Sequence, residues 1–440
     1  MPVSSMGVAG RWMFTPQGES DMDYPKLRPV EAIPVQHQGR PVLLLRDPEG
    51  ITQAVALVPY SLAPILQLFD GKHSIRDIQT ELARRTGEIV FTDLIRGLAE
   101  QLDQHLLLDN DRFREHYQRL VEDFRAAPVR AAAHAGTGYP EEPAALREML
   151  AEFFKAWRVQ QQAQAARTST ESGGELVPPA DTPVRGLLVP HIDLRQGGMC
   201  LAAGYENLRS SEAEVFVIFG TAHAGENVPF ILTPKDFATP LGVVETDREF
   251  IALLEEHYHG DLYAEEFVHR REHSIEFQVL FLQYVLERPF QIVPVLCGTF
   301  QEYIVNRLSP ADSVPVRSFL KALREGVASS NKRVCFIAGA DLAHVGMRFG
   351  ERQPLTPGYL RWVEAEDRRL LERAGELDPE GFFQFIAKDR NRRNICSVGG
   401  IYTLLCTLQG QAEQGYLLHY AQMVDQQIQS AVSFASVVFK

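Results

Sequence analysis

The sequence predicts an α/β protein: a central mixed sheet flanked by helices, preceded by a small winged-helix α+β domain. Three observations carry this reading. Beyond Val184, apolar runs alternate with helical patterns, as expected of strands buried on both faces of a sheet. The early part of the chain instead holds two short apolar runs and three helical patterns. At 440 residues the chain is too long for one average domain, and we divide it into 1–126 and 127–440.

In the first part, "PVLLLRD" and "AVALVPY" read as two strands of a hairpin, with "PEGI" near the turn. Leu62, Ile65, Leu66 and Phe69 have helical spacing, and Gly71 stops that helix. Ser74 with Asp77 three residues on opens the next helix as a capping box, which runs to about Gly87. "FTDLIRGLAEQLDQHLLLDN" gives a third helix followed by a short "LLLD" strand. A charged helix spans Phe113 to about Ala126. Another begins near Pro140 and Pro143, with Leu146, Leu150, Phe153 and Phe154 as its apolar face. The polar stretch from Gln160 to Pro183 reads as a mobile connection. "RGLLVP", "EVFVIFG", "FQIVPVLCG" and "RVCFIAGAD" are the core strands. "GYLLHYAQM" and "SAVSFASVVFK" add two more, antiparallel at an edge.

The net charge of −13 argues against a general nucleic-acid partner, which needs a basic face. No apolar run approaches the roughly 18 residues of a membrane span, and the N-terminus lacks a secretory pattern, so a cytoplasmic location is expected. The five cysteines are an odd count without a CxxC, neither a disulfide framework nor a zinc-finger spacing.

Three strand candidates deliver an imidazole near their ends. "RGLLVP" leads into His191, "EVFVIFG" into His223, and "RVCFIAGAD" into Asp341 and His344. Ligand and catalytic groups of open α/β sheets gather beyond the carboxyl ends of strands, and imidazole serves many transition metals. Each histidine taken singly is more often a hydrogen-bonded loop residue; the recurrence points to a shared site. Glu272, His273 and Glu276 head a helix whose apolar face is Ile275, Val279 and Leu282. The two glutamates are either first-turn acids favoured by the helix dipole or groups that orient ligands and transfer protons. Cys396 precedes Gly399-Gly400 where a helix begins, a setting that favours thiolate; a buried structural cysteine is the other reading.

These residues resemble the Memo-like family, also called AmmeMemoRadiSam system protein B. The likeness rests on "AAHAGTGYP", "VPHIDLRQGG", "FGTAHAG", "EHSIEFQVLFLQ", "IVPVLCG", "GADLAHVG", "NICSVGGI" and "HYAQ" to "SAVSFAS", in order across about 130–440. The resemblance implies a fold similar to the class III extradiol dioxygenases and a mononuclear metal site of His191, His223 and Cys396, with the cysteine in place of the dioxygenases' carboxylate. It also implies that His344 is the acid/base, with Asp341, Glu272 and His273 lining the same pocket; we expect Asp341 to orient His344. The chain departs from the family pattern at Ile192-Asp193, at Ala222, and after Cys396. Asp193 would then be an added pocket acid and Arg195 an anion contact.

The implied function is a non-haem Fe(II) oxidoreductase resembling the extradiol dioxygenases. The rivals are an iron- or copper-binding protein without turnover, and a binding module that captures a peptide or works with a radical-SAM protein. For that last role the segment 30–112 is the relevant feature, since it resembles PqqD-like peptide-recognition modules, which bind a peptide by strand addition.

Overall fold

The computed structural model describes residues 22–87, 90–168, 178–179, 181–225 and 228–440. The chain divides into two compact units, Met1–Asp123 and Phe124–Lys440.

In the first unit, β1 (Glu31–His37), β2 (Arg40–Arg46) and β3 (Val55–Pro59) form an antiparallel sheet in that order. β2 and β3 are the expected hairpin; β1 adds a strand that the sequence reading omitted. The capping box forms as expected: Ser74 Oγ accepts from the Asp77 amide at 3.1 Å, and Asp77 accepts from the Ser74 amide at 2.9 Å. That helix spans Ile75–Thr86 and ends on Gly87 with φ +73°, the left-handed conformation that glycine adopts without steric cost. Ile75, Ile78 and Leu82 pack beneath it with Ile95, Leu98 and Leu102 of the helix Thr92–Gln104. "LLLD" is not a strand. Leu106 takes φ +59°, and only an isolated bridge from Leu108 to Leu27 remains.

In the second unit, the helix Pro143–Thr168 covers the start of the expected connection, whose remaining residues 169–177 and 180 lie outside the described residues. The strands are β4 (Val129–Arg130), β5 (Gly186–Val189), β6 (Val215–Thr221), β7 (Phe230–Leu232), β8 (Asp236–Thr239), β9 (Gly242–Thr246), β10 (Gln291–Cys297), β11 (Val334–Gly339), β12 (His344–Gly346), β13 (Gly415–Asp425) and β14 (Ser430–Phe439). They make one mixed sheet in the order β12-β14-β5-β11-β6-β10-β9-β8-β4, with β13 on β14 and β7 on β10. β5, β11, β6 and β10 run parallel. The C-terminal hairpin is antiparallel as expected, but β14 is not an edge. It pairs with β5, β12 and β13 and is buried along its whole length.

Side chains alternate across the sheet. Val215, Val217 and Phe219 of β6 enter one core with the helices Arg248–His257, Val314–Ser329, Pro379–Ala387 and Val398–Leu408. Phe216 and Ile218 enter the other with Pro143–Thr168, Leu194–Tyr205 and His273–Val285. Gly339 lets one helix sit close to the sheet, since a Cβ there would meet the Ser274 carbonyl oxygen at 2.5 Å. Gly399 does the same on the opposite face against the Gly298 carbonyl. Two helix N-termini, one from each face, therefore converge on the same carboxyl ends of the parallel strands.

Candidate metal centre

β11 lies between β5 and β6, so the three strands deliver His191, Asp341 and His223 side by side just beyond their last residues. Cys396 arrives from the other direction, two residues before the helix Val398–Leu408. The donor atoms of His191, His223 and Cys396 all lie within 4.8 Å of one another. Cys396 Sγ is 3.6 Å from His191 Nε2. A tetrahedral ion with metal–nitrogen and metal–sulfur distances near 2.05 and 2.3 Å would need this edge to be about 3.6 Å. The residues therefore fit a single ion of a metal that accepts imidazole and thiolate.

The ring orientations suit the same purpose. His191 Nδ1 donates to the Gly339 carbonyl at 2.8 Å, which leaves Nε2 toward Cys396. His223 Nδ1 donates to Glu272 at 3.0 Å. Fixing one imidazole nitrogen this way directs the other to a metal. Asp341 Oδ1 accepts the amides of His191 and Ile192 at 3.0 and 3.1 Å, and Oδ2 lies 3.6 Å from His191 Nε2. His344 instead donates from Nδ1 to the Leu342 carbonyl at 3.2 Å. The expected Asp341–His344 pairing is thus replaced by an Asp341–His191 pairing, because the carboxylate turns back over the β5 loop.

Glu272 and Glu276 divide the roles that the sequence left open. Glu272 is the helix N-cap, with extended backbone at φ −69°, ψ 127°, so it precedes the helical period. Its carboxylate accepts from the Ser274 and His223 amides at 2.9 and 3.2 Å and lies 3.2 Å from His273 Nδ1. Glu276 points elsewhere. It takes Arg130 and Tyr139 OH in short contacts and accepts the Ala133 and His134 amides at 3.0 Å. Arg130 also donates to the carbonyls of Glu272 and His269 at 2.7 and 2.9 Å, so this buried pair holds the helix N-terminus that carries Glu272 and His273. Sequence reasoning assigned no role to Arg130, Tyr139 or His134. Their signal was position alone, since Tyr139 and His134 lie inside "AAHAGTGYP". The His273 ring lies 5.2, 5.0 and 5.7 Å from those of His191, His223 and His134.

Asp193 and Arg195 are exposed. Asp193 caps the helix Leu194–Tyr205 by accepting from the Arg195 amide at 2.8 Å, and the Arg195 guanidinium donates to the Thr137 carbonyl at 3.3 Å. The structure does not gather them with the three donors.

Charges follow this geometry. Burial pulls the His191 imidazole down, but Asp341 and Cys396 outweigh it and raise its pKa to about 9. Burial likewise opposes the proton on His223, and Glu272 overrides it. Burial pushes the Cys396 thiol up, yet the neighbouring imidazoles of His191 and His223 hold it well below the ordinary thiol range. Those imidazoles favour the thiolate. His273 is driven down to about 3, first by burial and then by its histidine neighbours, and is neutral. The raised pKa of His191 carries a sign. Its stabilising effect is complete below the unfolded value of 6.5 and is lost as the pH rises through about 9. An incoming ion must displace the same proton, so apparent metal affinity is expected to climb roughly tenfold per pH unit for each proton released, up to about pH 9. Calorimetric titration in buffers of different ionisation enthalpy measures that release; a pH-independent affinity would contradict it.

An open α/β sheet with an imidazole–thiolate cluster at its strand ends defines the class of protein. A family model described as Memo-like protein matches residues 130–438, and the chain belongs to that family, which has the extradiol-dioxygenase-like fold. A MEMO1 family protein of Aquifex aeolicus is 28% identical over 397 residues, covering 90% of this chain and 95% of the relative. That span is too long to fit within residues 130–440, so the alignment reaches into the N-terminal unit. A MEMO1 family protein of Methanosarcina barkeri is 27% identical over 314 residues, covering 70% of this chain and 99% of the relative. One from Thermococcus onnurineus is 28% identical over 326 residues, covering 71% and 99%.

Proposed function

We propose that this Memo-like protein holds one Fe(II) through His191, His223 and Cys396 and acts as a non-haem oxidoreductase resembling the extradiol dioxygenases. The observation that carries this reading is the clustering of two imidazole nitrogens and one thiolate within 4.8 Å, with the histidine tautomers fixed by Gly339 and Glu272. Bound Fe(II) supplies redox chemistry and open positions for O2 or substrate. The chain supplies orientation and proton movement. His273, neutral and set against Glu272, lines the pocket beside the His191 and His223 rings. His344 keeps Nε2 free by committing Nδ1 to Leu342, and serves as the acid/base.

The test is oxygen consumption by anaerobically purified, iron-loaded protein with catechol-type compounds. His344→Ala is expected to retain iron and lose most uptake. Retained uptake would remove His344 from the acid/base role. Iron retention without uptake in the parent protein would favour binding without turnover. In that second reading the soft thiolate suits copper as well as iron.

For the N-terminal unit we propose peptide capture along the exposed sheet edge at β1, from a substrate or a radical-SAM partner. Among the described residues no helix is long and apolar enough to cross a membrane. The five cysteines are all free thiols, which supports a reducing, cytoplasmic setting.

A further inference from the structure

The loop carrying Cys396 and the segment carrying Asp341 and His344 meet over one buried carboxylate. Asp367, on the helix Pro357–Gly375, is fully buried. It accepts from Arg393 Nη1 at 2.5 Å, Ser433 Oγ at 2.5 Å and Tyr420 OH at 3.0 Å. The first two donors serve different sides of the site.

Arg393 stands three residues before Cys396. Its carbonyl accepts the His344 amide at 2.7 Å, and Asn394 Nδ2 donates to the His344 carbonyl at 3.1 Å. Ser433 of β14 grips the other segment. Its carbonyl and amide pair with Leu342 N and Ala343 O at 2.9 Å each, and its Oγ accepts from the Ala343 amide at 2.9 Å. Ser433 Oγ has one proton to give, and that proton goes to Asp367.

In the Cys396 loop, Arg390, Asn391 and Asn394 adopt φ of 60°, 55° and 49°, a left-handed region that asparagine visits readily and arginine seldom does. The Arg393 guanidinium is buried, and Asp367 is its ion-pair partner. An uncompensated buried cation would leave that position.

We propose that Asp367 is a positioning residue: by taking Arg393 and Ser433 together, it sets Cys396 against the Asp341–His344 segment. In treating Cys396 as a ligand, this inference rests on the metal-binding reading above.

The experiment uses full-length Asp367→Asn and the pair Asp367→Asn/Arg393→Gln. The pair removes the stranded charge, so it keeps the test available if the single variant does not fold. Amide hydrogen exchange is measured on the metal-free proteins, and thiolate-to-metal absorption after addition of Co(II). Protection is expected to fall at least about tenfold at 341–346 and 393–397 together, while β6 and β10 keep theirs. Co(II) affinity is expected to fall about tenfold or more, with a shifted or weakened thiolate band. Unchanged protection in either segment overturns the proposal. So does an equal loss in β6 and β10, which would mark Asp367 as merely stabilising. A parent protein with no thiolate band refutes the metal reading alone, and the exchange result still decides the positioning role.

Discussion

Cys396→Ser is expected to lower Fe(II) affinity by more than about 100-fold, because changes one shell further out already cost 10–100-fold. Serine keeps the side-chain size but its hydroxyl stays protonated, so the site loses its single anionic donor among the three. His191 and His223 hold the Cys396 thiolate well below the ordinary thiol range, so the metal-free variant is also expected to lose stability near neutral pH, read by urea unfolding. His191→Ala is expected to lose iron as completely and also to destabilise, since it empties a buried position between the Gly339 carbonyl and Asp341. Glu272→Gln should fall between these and the parent, at about 10–100-fold in affinity, because His223 keeps its metal-facing nitrogen but loses an ionised partner for Nδ1. Equilibrium titration of the four proteins checks the order. Equal affinity in parent and Cys396→Ser would remove the thiolate from the site.

Glu276→Gln is expected to cost about 3–5 kcal/mol of stability, the cost of breaking a buried ion pair. Both side chains of the Arg130–Glu276 pair are wholly buried, so solvent does not screen the stranded guanidinium. Gln also cannot accept as well from Tyr139 and the two amides of Ala133 and His134. Urea unfolding reads this as a lower midpoint at unchanged slope. The double variant Arg130→Met/Glu276→Leu should lose much less than the sum of the singles, because no charge is left behind. A loss below about 1 kcal/mol in the single variant would contradict the account.

The legible parts of this protein are the ones whose signal is local. β5, β6, β10 and β11 are runs of branched and aromatic residues bounded by Pro, Gly or Asp, so their ends could be placed closely enough to assign His191, His223 and Asp341 to one edge of the sheet. β1, β4, β7, β8, β9 and β12 were not foreseen; most are short, and among them only the three-residue β7 is wholly apolar. Glu272 and Glu276 look alike by spacing, yet the N-cap lies outside the helical period, so four residues' separation did not put them on one face. Arg130 and Asp367 were invisible for another reason. A buried charge has the same letter as an exposed one, and its partner here lies 146 residues away for Arg130 and 26 for Asp367. Cys396 stood out by its place before a helix start, and only the family resemblance set it with His191 and His223, since a lone cysteine has no spacing partner.

The central claim, one ion held by two imidazoles and the Cys396 thiolate, is tested most directly by X-ray absorption at the iron edge of the anaerobically loaded protein. The account predicts about one iron per chain with one sulfur scatterer near 2.3 Å and two imidazoles, the sulfur absent in Cys396→Ser. A first shell of oxygen and nitrogen alone in the parent protein would contradict it.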